Sequence, residues 1–229
     1  MDRAGTSDAH SAPRARLRAV VFDFDGVILE SAEIKTDAFC ELFAHLGPTQ
    51  VAQVREHHLA NLGISRFVKF EWIYQNILEK PLAETERLEL GDRFSAIALR
   101  KVLECPFVPG AEDALAALAG RIPMFVASGT PQGELDRVVD ARELRGYFAE
   151  VWGSPREKAN ILADIASRHG LGMREILFVG DGSSDARAAA EAGTHFLARS
   201  TPPMAEHWSR SGERCVDDLT RLAELVDAW

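Results

Sequence analysis

The sequence predicts an α/β protein, a doubly wound parallel sheet into which a smaller all-helical domain is inserted. Three observations carry that reading. Apolar, largely β-branched runs recur at 19–24, 123–127, 176–179 and 194–198 with helix-patterned segments between the later ones, the alternation of parallel βαβ units. The first two runs are separated by residues 25–122, far more chain than one crossover needs. Polar clusters follow directly on three of the strands, at the carboxyl edge where a doubly wound sheet binds its ligands.

The first run, AVVFDF at 19–24, has the unbroken apolar character of a strand buried on both faces, and Asp25-Gly26 stops it. Ile34, Ala38, Leu42, Phe43 and Leu46 follow at helical spacing, with Gly47-Pro48 expected to end that helix. Phe67, Phe70, Ile73, Tyr74 and Leu78 mark a second amphipathic stretch closed before Pro81, and a third runs over about 83–103. No strand pattern falls among them. Residues 32–106 are therefore expected to form a helical lid, and 18–31 with 107–229 the catalytic core. PMFVA, ILFV and THFLA supply further strands, and 150–152 a shorter fifth. Residues 1–17 carry arginines but no apolar run and read as a disordered tail.

Bulk properties narrow the function. A chain of 229 residues, 46% hydrophobic, can bury one full core and a small second domain. A net charge of -9 repels the nucleic-acid backbone, so any anion must be met by local cations or a metal. No stretch reaches about 18 apolar residues, which argues against a membrane span. Cys40, Cys105 and Cys215 are odd in number, far apart and outside any CxxC or Cys/His cluster, which predicts reduced, buried thiols and a cytosolic protein. Nothing in the sequence sets the oligomeric state.

The strand ends hold Asp23-Phe24-Asp25-Gly26, Ser128-Gly129-Thr130 and Gly180-Asp181-Gly182-Ser183-Ser184-Asp185, and Lys158 opens a helix. Phosphoryl transfer needs an in-line nucleophile, neutralised phosphoryl oxygens and a proton for the leaving oxygen. A strand-end Asp23 can be the nucleophile. A carboxylate approaching a phosphate dianion is repelled, so a divalent metal must bridge them, and Mg²⁺ held by Asp23 and Asp181 suits the need. Asp25 lies on the same face and can protonate the leaving group, then activate water. Ser128 and Lys158 would hold the remaining phosphoryl oxygens.

The set resembles the haloacid dehalogenase-like hydrolases: VVFDFDGVILES is similar to their first motif, VASGT to the second, Lys158 to the third and GDGSSD to the fourth. The resemblance runs from about residue 19 to the chain end. It implies the nucleophile role for Asp23, acid/base for Asp25, phosphate contacts for Ser128, Gly129 and Lys158, and magnesium held by Asp23, the Asp25 carbonyl, Asp181 and Asp185. The helical insert is similar to the cap of the phosphoglycolate phosphatase and β-phosphoglucomutase group. Because the family's dehalogenases and phosphonate-cleaving members lack the second Asp, Asp25 favours phosphate-ester chemistry on a small phosphorylated metabolite.

Each position also has a structural reading. Asp181 could close a turn, Asp185 and Ser128 could be helix caps, and Lys158 could be solvated. In the insert His57, His58, Arg66 and Lys69 are candidate substrate contacts whose default placement is the surface. Arg66, at a loop-to-helix junction, is the best of them. Phe67, Phe70 and Trp72 read as lid core. Two rival functions stand beside hydrolysis: a sugar-phosphate mutase using the same aspartyl-phosphate, and a phospho-acceptor signalling module on a doubly wound sheet.

Overall fold

The structure is a computed structural model that describes residues 16–61 and 64–229. The tail expected over residues 1–17 lies, as far as residue 15, outside the described residues. The chain runs β1 (Ala19–Phe22), α1 (Ala32–Leu42), α2 (Pro48–Ala60), α3 (Arg66–Asn76), α4 (Glu84–Glu104) and α5 (Ala111–Leu118). It continues with β2 (Met124–Pro131), α6 (Gln132–Ala141), β3 (Glu150–Ser154), α7 (Lys158–His169) and β4 (Ile176–Gly180). The last elements are α8 (Ser183–Ala192), β5 (His195–Arg199), α9 (Ala205–Ser211), β6 (Cys215–Val216) and α10 (Leu222–Asp227).

The strands form one sheet in the order β3-β2-β1-β4-β5-β6, every pair parallel. The order reverses direction at β1, the topological switch point where such sheets open a crevice. Period-two alternation sorts β1 between two cores. Val20 and Phe22 join the layer packed with α5, α6 and α10, while Ala19 and Val21 join the layer of α7, α8 and Trp208. Leu177 and Val179 divide from Ile176 and Phe178 in the same way. Both faces are thus covered, which is why these strands are apolar without interruption.

Helices α1 to α4 form a cap with its own core of Phe39, Phe43, Phe70 and Phe94. Burying each of these rings contributes about 1.5–3 kcal/mol. Phe67 and Trp72 pack on that core as expected.

Three readings are corrected. The first cap helix stops at Leu42, and a 3-10 turn over Ala44–Leu46 continues its apolar pattern. Gly47-Pro48 opens α2 instead of ending α1: Gly47 takes φ +91 and Pro48 sits at the first helical position, where its missing N–H costs nothing. The thiols are free, but Cys105 alone is buried; Cys40 is half-buried and Cys215 exposed on the edge strand β6. Among the described residues no helix is long and apolar enough to cross a membrane.

Candidate active site

The carboxyl ends of β1, β2 and β4 meet beneath the cap around a small cleft, lined on the core side by Asp23, Asp25, Ser128, Gly129, Thr130 and Asp181. Asp23 directly follows β1, and its backbone N–H continues the ladder to the carbonyl of Val179 at 2.8 Å. Gly26 then turns the chain with φ +76. A Cβ there would overlap the Asp181 carboxylate, so glycine lets the β1 and β4 loops close on each other. Gly180 has the same use, because a Cβ on it would run into the side chain of Asp185.

One carboxylate oxygen from each of Asp23, Asp181 and Asp185 lies within 4.8 Å of the others, all three residues buried. Lys158, at the start of α7 and 8% exposed, bridges Asp23 at 2.9 Å and Asp185 at 2.5 Å. Burial pushes Asp23 up to about 7, against the pull of Lys158. Burial, then the charges of Asp23 and Asp185, raise Asp181 well above the usual carboxylate range. One ammonium does not neutralise three buried carboxylates, and such a set is stable in ionised form only with a further cation. Oxygen-only donors that close together suit a hard divalent ion such as magnesium. Asp185 also accepts the backbone N–H of Gly182 at 3.0 Å, so it caps α8 and faces Lys158 at once.

Asp25 meets the opposite conditions. Burial would raise it, but Lys35, together with hydrogen bonds from Ser31 and Thr130, outweighs burial and holds the carboxyl below its ordinary value. Ser31 Oγ donates to Oδ1 at 2.6 Å and Thr130 Oγ1 to Oδ2 at 2.7 Å, while the Lys35 ammonium pairs with the same Oδ2 and reaches Thr130 Oγ1 at 2.6 Å. None of Lys35, Thr130 or Ser31 was among the expected site residues. The available signal was Ser31 and Lys35 at i and i+4, one face at the start of α1, and Thr130 two residues beyond Ser128 on one side of β2. Ser128 is fully buried and accepts the Thr130 N–H at 3.1 Å. Arg199, also unexpected, donates to the Gly26 carbonyl at 3.3 Å and pairs with Glu30, bracing the loop after Asp25.

The cap side of the cleft holds Lys35, Phe39, His58, Ile64, Arg66, Lys69 and Phe94. The default surface placement is wrong for three residues: His58, Arg66 and Lys69 are 4%, 6% and 3% exposed. His57 stacks on Trp72, ring centroids 3.7 Å apart, and is not among the residues lining the cleft. Arg66 reaches across to the core, donating to Glu134 on α6 at 2.7 Å and to Ser95 at 2.8 Å, with its guanidinium over the Phe94 ring.

A carboxylate at a central strand end, buried acids grouped for a cation, hydroxyl and ammonium donors beside them and a helical cap above define a capped α/β hydrolase built for phosphoryl groups. The chain belongs to the haloacid dehalogenase-like hydrolase family, whose model matches residues 17–193, and it is a phosphatase of that family. It is 28% identical over 185 residues to a phosphoglycolate phosphatase from Photorhabdus laumondii, covering 77% of each chain. A phosphoglycolate phosphatase from Synechococcus elongatus is 24% identical over 185 residues, covering 77% of this chain and 81% of the relative. Among solved structures, β-phosphoglucomutase from Clostridium difficile superposes with a TM-score of 0.72 at 18% identity, covering 90% of this chain and 93% of that one. CbbY from Rhodobacter sphaeroides in complex with phosphate gives 0.71 at 17% identity, covering 90% and 96%.

Proposed function

We propose that this protein hydrolyses a small, phosphoglycolate-like phosphomonoester through a phosphoryl-Asp23 intermediate, with Mg²⁺ as its metal and the cytosol as its location. The observation that carries the reading is the buried cluster of Asp23, Asp181 and Asp185 around Lys158. Magnesium held by these three carboxylates and the Asp25 carbonyl would supply the positive charge that lets a carboxylate approach a phosphate.

An Asp23 oxygen attacks phosphorus, the ester P–O bond breaks, and the departing alkoxide takes a proton from Asp25. Asp25 then removes a proton from water, whose oxygen attacks phosphorus. The P–O bond to Asp23 breaks, giving inorganic phosphate and restoring both acids. Lys158 and the Ser128 hydroxyl, with the Gly129 backbone, balance charge on the phosphoryl oxygens. In the conformation seen, Asp25 is ionised and clasped by Lys35, so it is ready to act as a base. It can carry the proton for the leaving group only once cap movement draws Lys35, on α1, away from it.

The four phosphoglycolate phosphatase relatives support a small acidic ester as substrate. The cap supports it too, since a cleft this small closes over a metabolite and not over a folded phosphoprotein. Passing the phosphoryl group to a second hydroxyl of a sugar phosphate is the mutase alternative. A panel of phosphorylated metabolites assayed with Mg²⁺ and no bisphosphate activator tests the reading. Phosphate release from small acidic monoesters is expected, and a panel without any release contradicts it.

A further inference from the structure

We propose that His58 and Lys69 form a second anion-binding subsite in the cap, which receives an acidic group at the far end of the substrate; this rests on the phosphatase reading above. Both residues line the cleft whose floor is Asp23 and Ser128, so a ligand whose phosphoryl group sits on the core presents its other end to them. The three cations lining the cleft are not equivalent. Lys35 is paired with Asp25 and Arg66 with Glu134. Lys69, among the described residues, has no carboxylate in contact. Its ammonium lies 3.0 Å from His58 Nδ1 and 5.4 Å from the centre of the Phe39 ring.

That contact fixes the histidine. A lysine donating to Nδ1 makes it the acceptor of a neutral imidazole, so the proton sits on Nε2. Nε2 is buried and has no hydrogen-bond partner among the described residues. A buried donor left unsatisfied is unfavourable, and a buried ammonium without a counter-charge is more so. The second penalty is relieved when an anion pairs with Lys69, whose ammonium has two N–H donors beyond the one given to His58 Nδ1. Burial and the nearby Lys35 also draw Lys69 down to about 7, as expected of a cation whose counter-charge arrives with the ligand. The molecule as a whole carries -9, so attraction for a second anion has to be built locally.

The purely structural alternative is that Lys69 and His58 only fill space against Phe39. The two readings part on selectivity. 2-Phosphoglycolate and its carboxamide differ only in the charge at the far end, and the wild-type ratio of kcat/KM should favour the acid. Lys69→Met should lower that ratio on the order of 10²-fold, and Lys69→Arg should restore part of it. A ratio unchanged in Lys69→Met overturns the proposal, whatever happens to the two rates separately. Ethylene glycol bisphosphate, which carries phosphate in place of carboxylate, shows which anion the subsite prefers; no discrimination by Lys69→Met against either charged ester also overturns it. A second readout needs no turnover: the ¹⁵N resonance of His58 Nε2 in Asp23→Asn protein should move with 2-phosphoglycolate and stay with the amide. If the wild type hydrolyses neither ester, the phosphoglycolate-like substrate reading fails while the resonance still decides the subsite, and no movement with the acid overturns it.

Discussion

Asp23 and Asp25 stand two residues apart in opposite electrostatic surroundings. Burial, helped by the charge of Asp185, raises Asp23 to about 7 against the pull of Lys158, whereas Asp25 is held low by Lys35 with Ser31 and Thr130. Asp23→Asn should abolish turnover, because an amide is no nucleophile and also weakens the cation site. Asp25→Asn should lower the rate on an alkyl phosphate by on the order of 10²-fold or more while leaving magnesium affinity, measured by calorimetry, close to wild type. A full-rate Asp25→Asn would move the acid/base role elsewhere. Lys69 allows a test of burial itself. Held near 7 in the fold against 10.5 in the unfolded chain, it binds fewer protons folded than unfolded across that window, so its effect on stability becomes less unfavourable as pH rises. Denaturation of metal-free wild type and Lys69→Met should show the wild type gaining on the variant from pH 7 toward 10.5, and a difference constant with pH contradicts it. At this scale the acids, Ser128 and Lys158 were legible because strand ends and short spacings are local. Lys35 was not, and Lys69 was read only as a candidate contact with the surface as its default, since what makes them part of the site is a partner, or the lack of one, beyond their own helices.

Between elements, the buried pair of Arg66 on α3 and Glu134 on α6, 6% and 7% exposed at the side chain, ties the cap to the core. Removing one member leaves the other charge buried, which costs about 3–5 kcal/mol. Arg66→Ala should destabilise by an amount in that range, and Arg66→Met with Glu134→Met together by clearly less than the sum of the singles. Additive losses in denaturant unfolding would show that the pair does not hold the cap. Arg66 therefore has a partner in this conformation besides any substrate. The same scale explains which elements the sequence displayed. Helices α1, α3 and α4 each bury an apolar face, so their periodicity is plain. Helix α2 buries only Val54 and His58 and leaves no such stripe. Strand β6 is two residues on an edge, too short to alternate, and β2 runs on through Ser128 and Thr130 to Pro131, where polar residues mask a strand.

Over the whole molecule, a chain of net charge -9 gathers three acids at the centre of its sheet and lays cap cations over them. A cation must complete such a centre if the acids are to work ionised. Chelation should therefore silence the enzyme, Mg²⁺ should restore it, and Ca²⁺ should substitute poorly because its larger, looser shell spoils in-line geometry. Activity undiminished by exhaustive chelation would contradict the cation site. The doubly wound sheet and inserted cap were legible from the strand runs and the long interval between the first two, since parallel topology leaves few alternatives. The central claim is that the phosphoryl group passes through Asp23, and rapid-quench mass spectrometry of the peptide spanning residues 19–35 tests it most directly. During turnover of 2-phosphoglycolate with Mg²⁺, the account predicts a transient phosphoryl adduct that fragmentation places on Asp23 and that Asp23→Asn lacks. An adduct on another residue, or steady turnover by Asp23→Asn, would contradict it.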